Sequence, residues 1–470
     1  MQLAARVQAY LEQQRTAYAL IPHTPTETLP EAAAATHIDP QHLARAVLLE
    51  DEKGVFLAIL PATYLIDFRA LRECCGRNCK PAGPEQRAAI FTDCEPGSVP
   101  PLAEPYGLQA VVDSQLASSG QIHFEAGFHN CLVRLQSGDF QALHRNSQHA
   151  TIARPLSTLE SRDARDFMLP GEFGRQHPLT DLRPLEDIRQ SLEKIERLPG
   201  LSEMTHRLLR LYQDADATSR DLTGLIEADA HFSAQIIRYA RAALFEQRGR
   251  VDTLPQAIER VLGLDTTLNI ALGLAASRTF RNPADGPLGL QAFWKQAAYS
   301  AALAHLLATT VDPGSGIKPG PAYLSGLLHN FGYLLTGQLF RAEFFLLNRV
   351  VAANPQIPVS AIERRVLGIE HSETGARLMA AWNLPESVVV SCREHHNEDY
   401  RGDQEGYARL MLCVDHLLRA HSIGEGADGD PPGAILEALG LDLARAREST
   451  QKVMASADTL DAMARQLATA

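Results

Sequence analysis

At 470 residues the chain exceeds what one hydrophobic core organises, so two or three domains are expected, and 45% hydrophobic content is ample to bury them. A net charge of −12 weighs against broad adhesion to DNA or anionic lipid, which relies on clustered Lys and Arg at phosphates, so bulk nucleic-acid binding is not expected and an anionic ligand needs a local pocket. Seven Cys, an odd number without a secretion signal, suit reduced thiols in a cytoplasmic protein.

The opening stretch MQLAARVQAYLEQQR spaces Leu3, Val7 and Leu11 as an amphipathic helix, without the continuous apolar core of a signal peptide. No run reaches the roughly 18 apolar residues of a membrane span. Thr28 and Glu31 form a capping-box pattern ahead of AAAATHI, with Pro30 near the first turn. The runs RAVLLE, GVFLAILP, AVVD and CLVRL are β-rich and alternate with short helical stretches, which predicts an α/β or α+β domain over residues 1–155. Within it, DFRALRECCG reads as a helix closed by Gly76. Cys74, Cys75 and Cys79, with Cys94 further on, lack the CxxC spacing that converges two thiolates on zinc, and Cys79 reads as a small buried hydrophobe.

Residues 156–187 are rich in charge, Pro and Gly and read as a linker. From Ile188 apolar residues recur three and four apart, as in DLTGLIEADAHFSAQIIRYARAALF, which predicts an all-α domain over 188–422. IGEGADGDPPG, residues 423–433, separates this from a terminal pair of helices over 434–470.

One stretch carries unusual chemistry. AYLSGLLHNFGYLL, residues 322–335, places His329 and Asn330 inside an apolar run. His followed by Asp at such a place would hold one or two divalent ions, but here the carboxylate is an amide.

In order, LPGLSEMTHRLLRLYQDADATSRDLTGLIEADAHFSAQIIRYARAALF, AIERVLGLDTTLNIALGLA, FWKQAAYSAALAHLLA, AYLSGLLHNFGYLL, GIEHSETGARLMAAWNLPESVVVSCREHH and LCVDHLL resemble an HDOD domain, a regulatory offshoot of the HD-domain metal-dependent phosphohydrolases. The resemblance implies a vestigial HD site at Gln296, His329 with Asn330, His371, His395 or His396, and Asp415. Gln296 and Asn330 depart from the catalytic pattern, removing one imidazole and one carboxylate, and carboxamide carbonyls are weak replacements. A metal that is not held cannot acidify a bound water, so neither a metal nor phosphodiesterase activity is expected. The remaining histidines read as packed core groups hydrogen-bonded to Asn330, Asp415 or backbone carbonyls, with a residual metal site as the alternative.

In the first half, HLARAVLLEDEKGVFLAILPATYLIDFRAL, CEPGSVPPLAEP, AVVDSQL and IHFEAGFHNCLVRL resemble the YbaK fold, which edits mischarged aminoacyl-tRNA. The implied pocket contains the GSVPP loop, with Gly97, Ser98, Pro100 and Pro101, and a position where family deacylases carry Lys and this chain has Arg45. Arg is wider and stays protonated, which alters reach and geometry at a tight site. The loop also reads as a plain rigid turn, and Arg45 either as a grip for a carboxylate or phosphate or as a solvated side chain.

A YbaK-like domain followed by HDOD resembles the surface-attachment regulators of pseudomonads. That resemblance implies a cytoplasmic, non-catalytic signalling protein without cofactors, acting through protein partners to link cyclic di-GMP signalling to biofilm formation and restraint of flagellar motility. A trans-acting aminoacyl-tRNA deacylase and a metal-dependent nucleotide phosphohydrolase are the alternatives. If cyclic di-GMP binds directly, its phosphates need cations, and the dense group in RYARAALFEQRGR supplies Arg238, Arg241, Arg248 and Arg250; a solvated basic patch or a contact for the acidic linker is the other reading.

Overall fold

The computed structural model describes residues 3–24, 26, 29–76, 78–95, 97–118, 120–158, 202–241, 251–277, 280, 282, 286–354, 357–424 and 430–468. Thr28 of the expected capping box and the linker from 159 onward lie outside them. The chain forms two compact units. The first comprises 1–188 and 342–368, the second 189–341 and 369–470.

Unit 1 is built on a five-stranded sheet. β1 (Ala19–Pro22) belongs to a smaller sheet, while β2 (Ala44–Asp51) and β3 (Gly54–Pro61) form the antiparallel hairpin at the heart of the larger one. β4 (Tyr64–Ile66) follows, then the helix Phe68–Cys75, β5 (Lys80–Pro81), β6 (Gln109–Asp113), β7 (Gln121–Glu125), β8 (Cys131–Gln136), β9 (Gln148–Ala150) and β10 (Ala153–Pro155). The strand order of the large sheet is β5-β2-β3-β6-β9, with β3–β6 and β6–β9 parallel. β1-β8-β7 and β10-β4 are separate antiparallel sheets.

The runs AVLLE and VFLAIL do not alternate apolar with polar because β2 and β3 are covered on both faces. Ala44, Ala46 and Leu48 join Leu57 and Ile59 in one core with Val7, Leu11, Phe124 and Phe140. Val47, Leu49, Phe56, Ala58 and Leu60 enter a second core with Ile66, Phe68, Leu71 and Ile152. Ala353, at the end of the helix Arg341–Ala353, is part of this second core. That helix and the next, Val359–Val366, lie within the stretch expected to belong to the helical domain, yet residues 342–368 pack in unit 1.

The cysteine reading agrees with the structure. The helix Phe68–Cys75 ends at Gly76, whose φ of 66° is the left-handed C-terminal cap, and Cys79 is buried beside Leu71. Cys94 packs against the opposite core, so the four cysteines do not converge.

In its described part unit 2 is all-helical, as expected. Its centre is the helix Leu290–Ala308, followed by Pro319–Leu328, Phe331–Leu339, His371–Ala381, Glu386–Glu394 and Glu405–Arg419. The terminal pair of helices becomes three: Gly433–Leu439, Leu443–Met454 and Ala457–Ala468. Gly440, at φ 60°, stops the first, and the Asp442 carboxylate accepts from Ala444 N to start the second. Among the described residues no helix is long and apolar enough to cross a membrane.

Candidate functional site

Two glycines assemble the polar cluster of unit 2. A Cβ at Gly326 would overlap the Ser300 carbonyl, and one at Gly332 would overlap that of His371. The absent side chains let Pro319–Leu328 press against Leu290–Ala308, and Phe331–Leu339 against His371–Ala381. Sequence reading did not single out Gly332, although it stands three residues after His329 in a helical run, where a glycine costs helix stability and signals a close approach. His329 closes one helix, Asn330 opens the next, and His371 begins a third.

The expected HD positions do come together. His329 Nε2 lies 3.4 Å from Asp415 Oδ1, and Gln296 Nε2 donates to the same oxygen at 3.4 Å. His371 Nε2 is 3.2 Å from His395 Nε2 and 3.2 Å from His396 Nε2. Tyr333 stacks on His371 with ring centroids 4.1 Å apart, a positioning contact not anticipated from sequence. His329, His371, His395 and Asp415 are buried, whereas His396 is exposed with its Nε2 turned inward.

Proton placement decides the chemistry of this cluster. His329 Nδ1 donates to Gly326 O at 2.9 Å and His395 Nδ1 to Cys392 O at 2.9 Å, so both rings turn Nε2 into the cluster. Burial, and then the neighbouring imidazoles, hold the pKa of His395 well below its ordinary value, so it stays neutral. Among the described residues His329 Nε2 and Asp415 Oδ2 have no hydrogen-bond partner. The neutral His395 ring presents a lone pair at Nε2 beside the Asp415 carboxylate, and a buried acceptor without a donor is costly. His371 Nε2 cannot satisfy both of its imidazole neighbours with one proton.

Two overlapping groups, His371–His395–His396 and His329–His395–Asp415, each bring their ligand atoms within 4.8 Å of one another. Neutral imidazoles with one carboxylate are a donor set that fits a divalent transition cation. Gln296 turns a donor toward Asp415 and Asn330 contributes no carboxylate, so the fit is to one ion rather than a pair.

In unit 1 the expected pocket residues separate. The GSVPP loop packs through Val99, with Leu102 just after it, on the core that holds Ala46 and Leu48. Gly97 takes a φ of 91°, Ser98, Pro100 and Pro101 are buried, and His144 Nε2 donates to Pro101 O at 3.0 Å. This gives the loop the features of a rigid turn. Strand alternation puts Arg45 on the opposite face, with Val47 and Leu49. Arg45 is not a solvated side chain: it is 2% exposed, and its Nη2 donates to Tyr64 O and to Asn354 Oδ1, each at 2.7 Å. Burial pushes its guanidinium down to about 9, which leaves it charged at neutral pH.

Asn354 is the functional residue sequence reading missed. AANP marks a helix end, but nothing local links it to a strand 309 positions earlier.

The arginine group divides as well. Arg238 Nη1 donates to Gln466 Oε1 at 2.9 Å, whereas Arg241 pairs with Asp252 at 2.9 Å and donates to Val251 O. Arg248 and Arg250 lie outside the described residues.

Residues 23–143 match the family model of the aminoacyl-tRNA editing domain, and residues 198–398 match that of the HDOD domain. The chain thus joins a YbaK-like α/β domain of the editing type to an all-α HDOD domain. A candidate signal transduction protein from Marinobacter aquaeolei VT8 has a similar structure, with TM-score 0.72 and 28% identity over 99% of this chain and 100% of that one. An HDOD domain protein from Geobacter sulfurreducens is 21% identical, with TM-score 0.48 over 60% of this chain and 97% of that one. An uncharacterized protein of Treponema pallidum (strain Nichols) is 26% identical over 222 residues, 47% of this chain and 42% of that one. The chain therefore spans less than half the length of that curated relative.

Proposed function

We propose that this chain is a non-catalytic regulator of a signalling pathway, acting through protein partners. The observation that carries the reading is Arg45: the residue at the deacylase lysine position is buried and its guanidinium is taken up by Tyr64 O and Asn354. A fork engaged in this way cannot also orient an incoming aminoacyl ester without giving up those bonds. The domain pairing and the signal-transduction relative from Marinobacter aquaeolei support a regulatory role. The pathway we assign, from the resemblance to surface-attachment regulators, is cyclic di-GMP signalling that promotes biofilm formation and restrains flagellar motility. The deciding experiment is deacylation of Ala- and Cys-charged tRNA for proline by the full chain. No turnover above the uncatalysed rate is expected; turnover that Arg45→Ala abolishes would make the protein an editing enzyme.

The converging acceptors in unit 2 favour a second reading, a metal-dependent phosphohydrolase. His329, His395 and Asp415, with His371 and His396 beside them, would hold one divalent cation, which when bound acidifies water or polarises a phosphoryl oxygen. Asn330 cannot supply the missing carboxylate, and the Gln296 carboxamide directs a donor at Asp415 in place of an imidazole ligand. Hydrolysis of cyclic di-GMP or simple phosphodiesters in Mn²⁺ or Mg²⁺, lost in His329→Ala, would establish this reading over the first.

A further inference from the structure

The Arg45 position has the geometry of an occupied site. Asn354 Oδ1 accepts from Arg45 Nη2 at 2.7 Å and from the backbone N–H of Ile66 at 3.2 Å. Its Nδ2 donates to Val350 O at 2.8 Å, four residues back, which fixes the side chain at the end of the helix Arg341–Ala353. Asn354 is completely buried, and Ala353 beside it is in the core of the sheet. One amide oxygen held between a guanidinium and a backbone N–H is how proteins grip an acyl carbonyl or a carboxylate oxygen. Both donors belong to strands of the editing-type fold, while the acceptor comes from a segment that lies within the HDOD match and packs in unit 1.

We infer that Arg45 Nη2 and the Ile66 N–H form a cradle for a carbonyl oxygen, and that residues 342–368 are its occupant in cis, with Asn354 in place of an acyl ligand. The planar guanidinium holds one terminal nitrogen, Nη2, between Tyr64 O and Asn354 Oδ1 with its two N–H bonds in fixed directions, which the rotating ammonium of a lysine does not do. The inference deepens the non-catalytic reading of unit 1 and rests on it, since it says what engages the residue at the deacylase lysine position. Exposure of the cradle then requires release of residues 342–368, which makes that segment the point where a partner could act on unit 1.

The test is hydrogen exchange read by mass spectrometry on the full chain, following peptides from 342–353 and 359–366, with peptides from 290–308 and 405–419 as internal reference. Asn354→Leu keeps the volume and removes the acceptor, and is expected to speed exchange in 342–353 by about tenfold while the reference peptides hold. Arg45→Ala should do the same, and the double variant should fall well short of the product of the two single effects, because both lose the shared Arg45–Asn354 bond. Asn354→Asp keeps the acceptor and should stay within about threefold of wild type at pH 7. Wild-type exchange in Asn354→Leu, or equal acceleration in Leu and Asp, overturns the inference. If the Leu variant unfolds throughout, Arg45→Lys decides: local acceleration in 342–353 supports the cradle, and unchanged exchange overturns it. A wild type that deacylates tRNA while showing this exchange pattern would refute the non-catalytic reading and leave the cradle standing.

Discussion

Arg45 and His329 are both buried polar residues, one in the editing-type domain and one in the HDOD domain, but their surroundings differ. At Arg45 one guanidinium nitrogen, Nη2, donates to two oxygens of the same unit. Around His329, ring nitrogens of His329 and His395 converge on the Asp415 carboxylate, and among the described residues His329 Nε2 and Asp415 Oδ2 have no hydrogen-bond partner. In unit 1 the guanidinium is engaged by Tyr64 O and Asn354, and in unit 2 His329, His395 and Asp415 bring their ligand atoms together. The two clusters thus differ in kind: a guanidinium nitrogen bonded to two oxygens already has its acceptors, whereas buried ring nitrogens converging on a carboxylate make a donor set that suits a cation.

The largest effect that would break this comparison comes from Gly332→Val. The added side chain would meet the His371 carbonyl, force Phe331–Leu339 off His371–Ala381 and scatter the cluster. A loss of about 3 kcal/mol is expected in denaturant unfolding followed by circular dichroism. A variant as stable as wild type would mean that the two helices are not in the close contact on which the cluster depends.

Two measurements sharpen the contrast. Calorimetric titration of chelator-treated protein with Zn²⁺ should show about one site, and His395→Ala should weaken it at least about tenfold. A flat titration would show that Gln296 and Asn330 have closed the helical site as fully as Asn354 closes the other. In unit 1, His144 is held down to about 4, chiefly by burial, against an ordinary value of 6.5. The unfolded chain therefore binds this proton more tightly, so stability falls as pH drops from about 6.5 to about 4, by up to about 3 kcal/mol, and levels off below. His144→Gln should flatten that part of the stability profile; an unchanged profile would remove His144 as its source.

The smallest effect concerns Arg241. Its pair with Asp252 is half exposed, so Arg241→Ala should cost less than about 1 kcal/mol. If cyclic di-GMP binds through this group, calorimetry at low salt should show affinity lost with stability nearly unchanged. No heat with wild-type protein would place the nucleotide on a partner instead.

Much of the architecture was legible in the sequence because it follows from local physics. The β2 and β3 runs, the helix closed at Gly76 and the three- and four-residue spacing after residue 188 each report on their own backbone. Gly440 was equally local, but its helix-stopping role was missed and three terminal helices read as two. The HD positions could be named one by one, since His329, His371 and Asp415 stand in recognisable order. What the order could not show is which nitrogens turn inward, because the Gly326 and Cys392 carbonyls set the tautomers. Nor could it show that residues 342–368 leave the helical unit and seat Asn354 against Arg45. Periodicity records which face of a helix is apolar and says nothing of which core receives it. That choice is made by contacts between residues hundreds of positions apart, and only the folded chain brings them together.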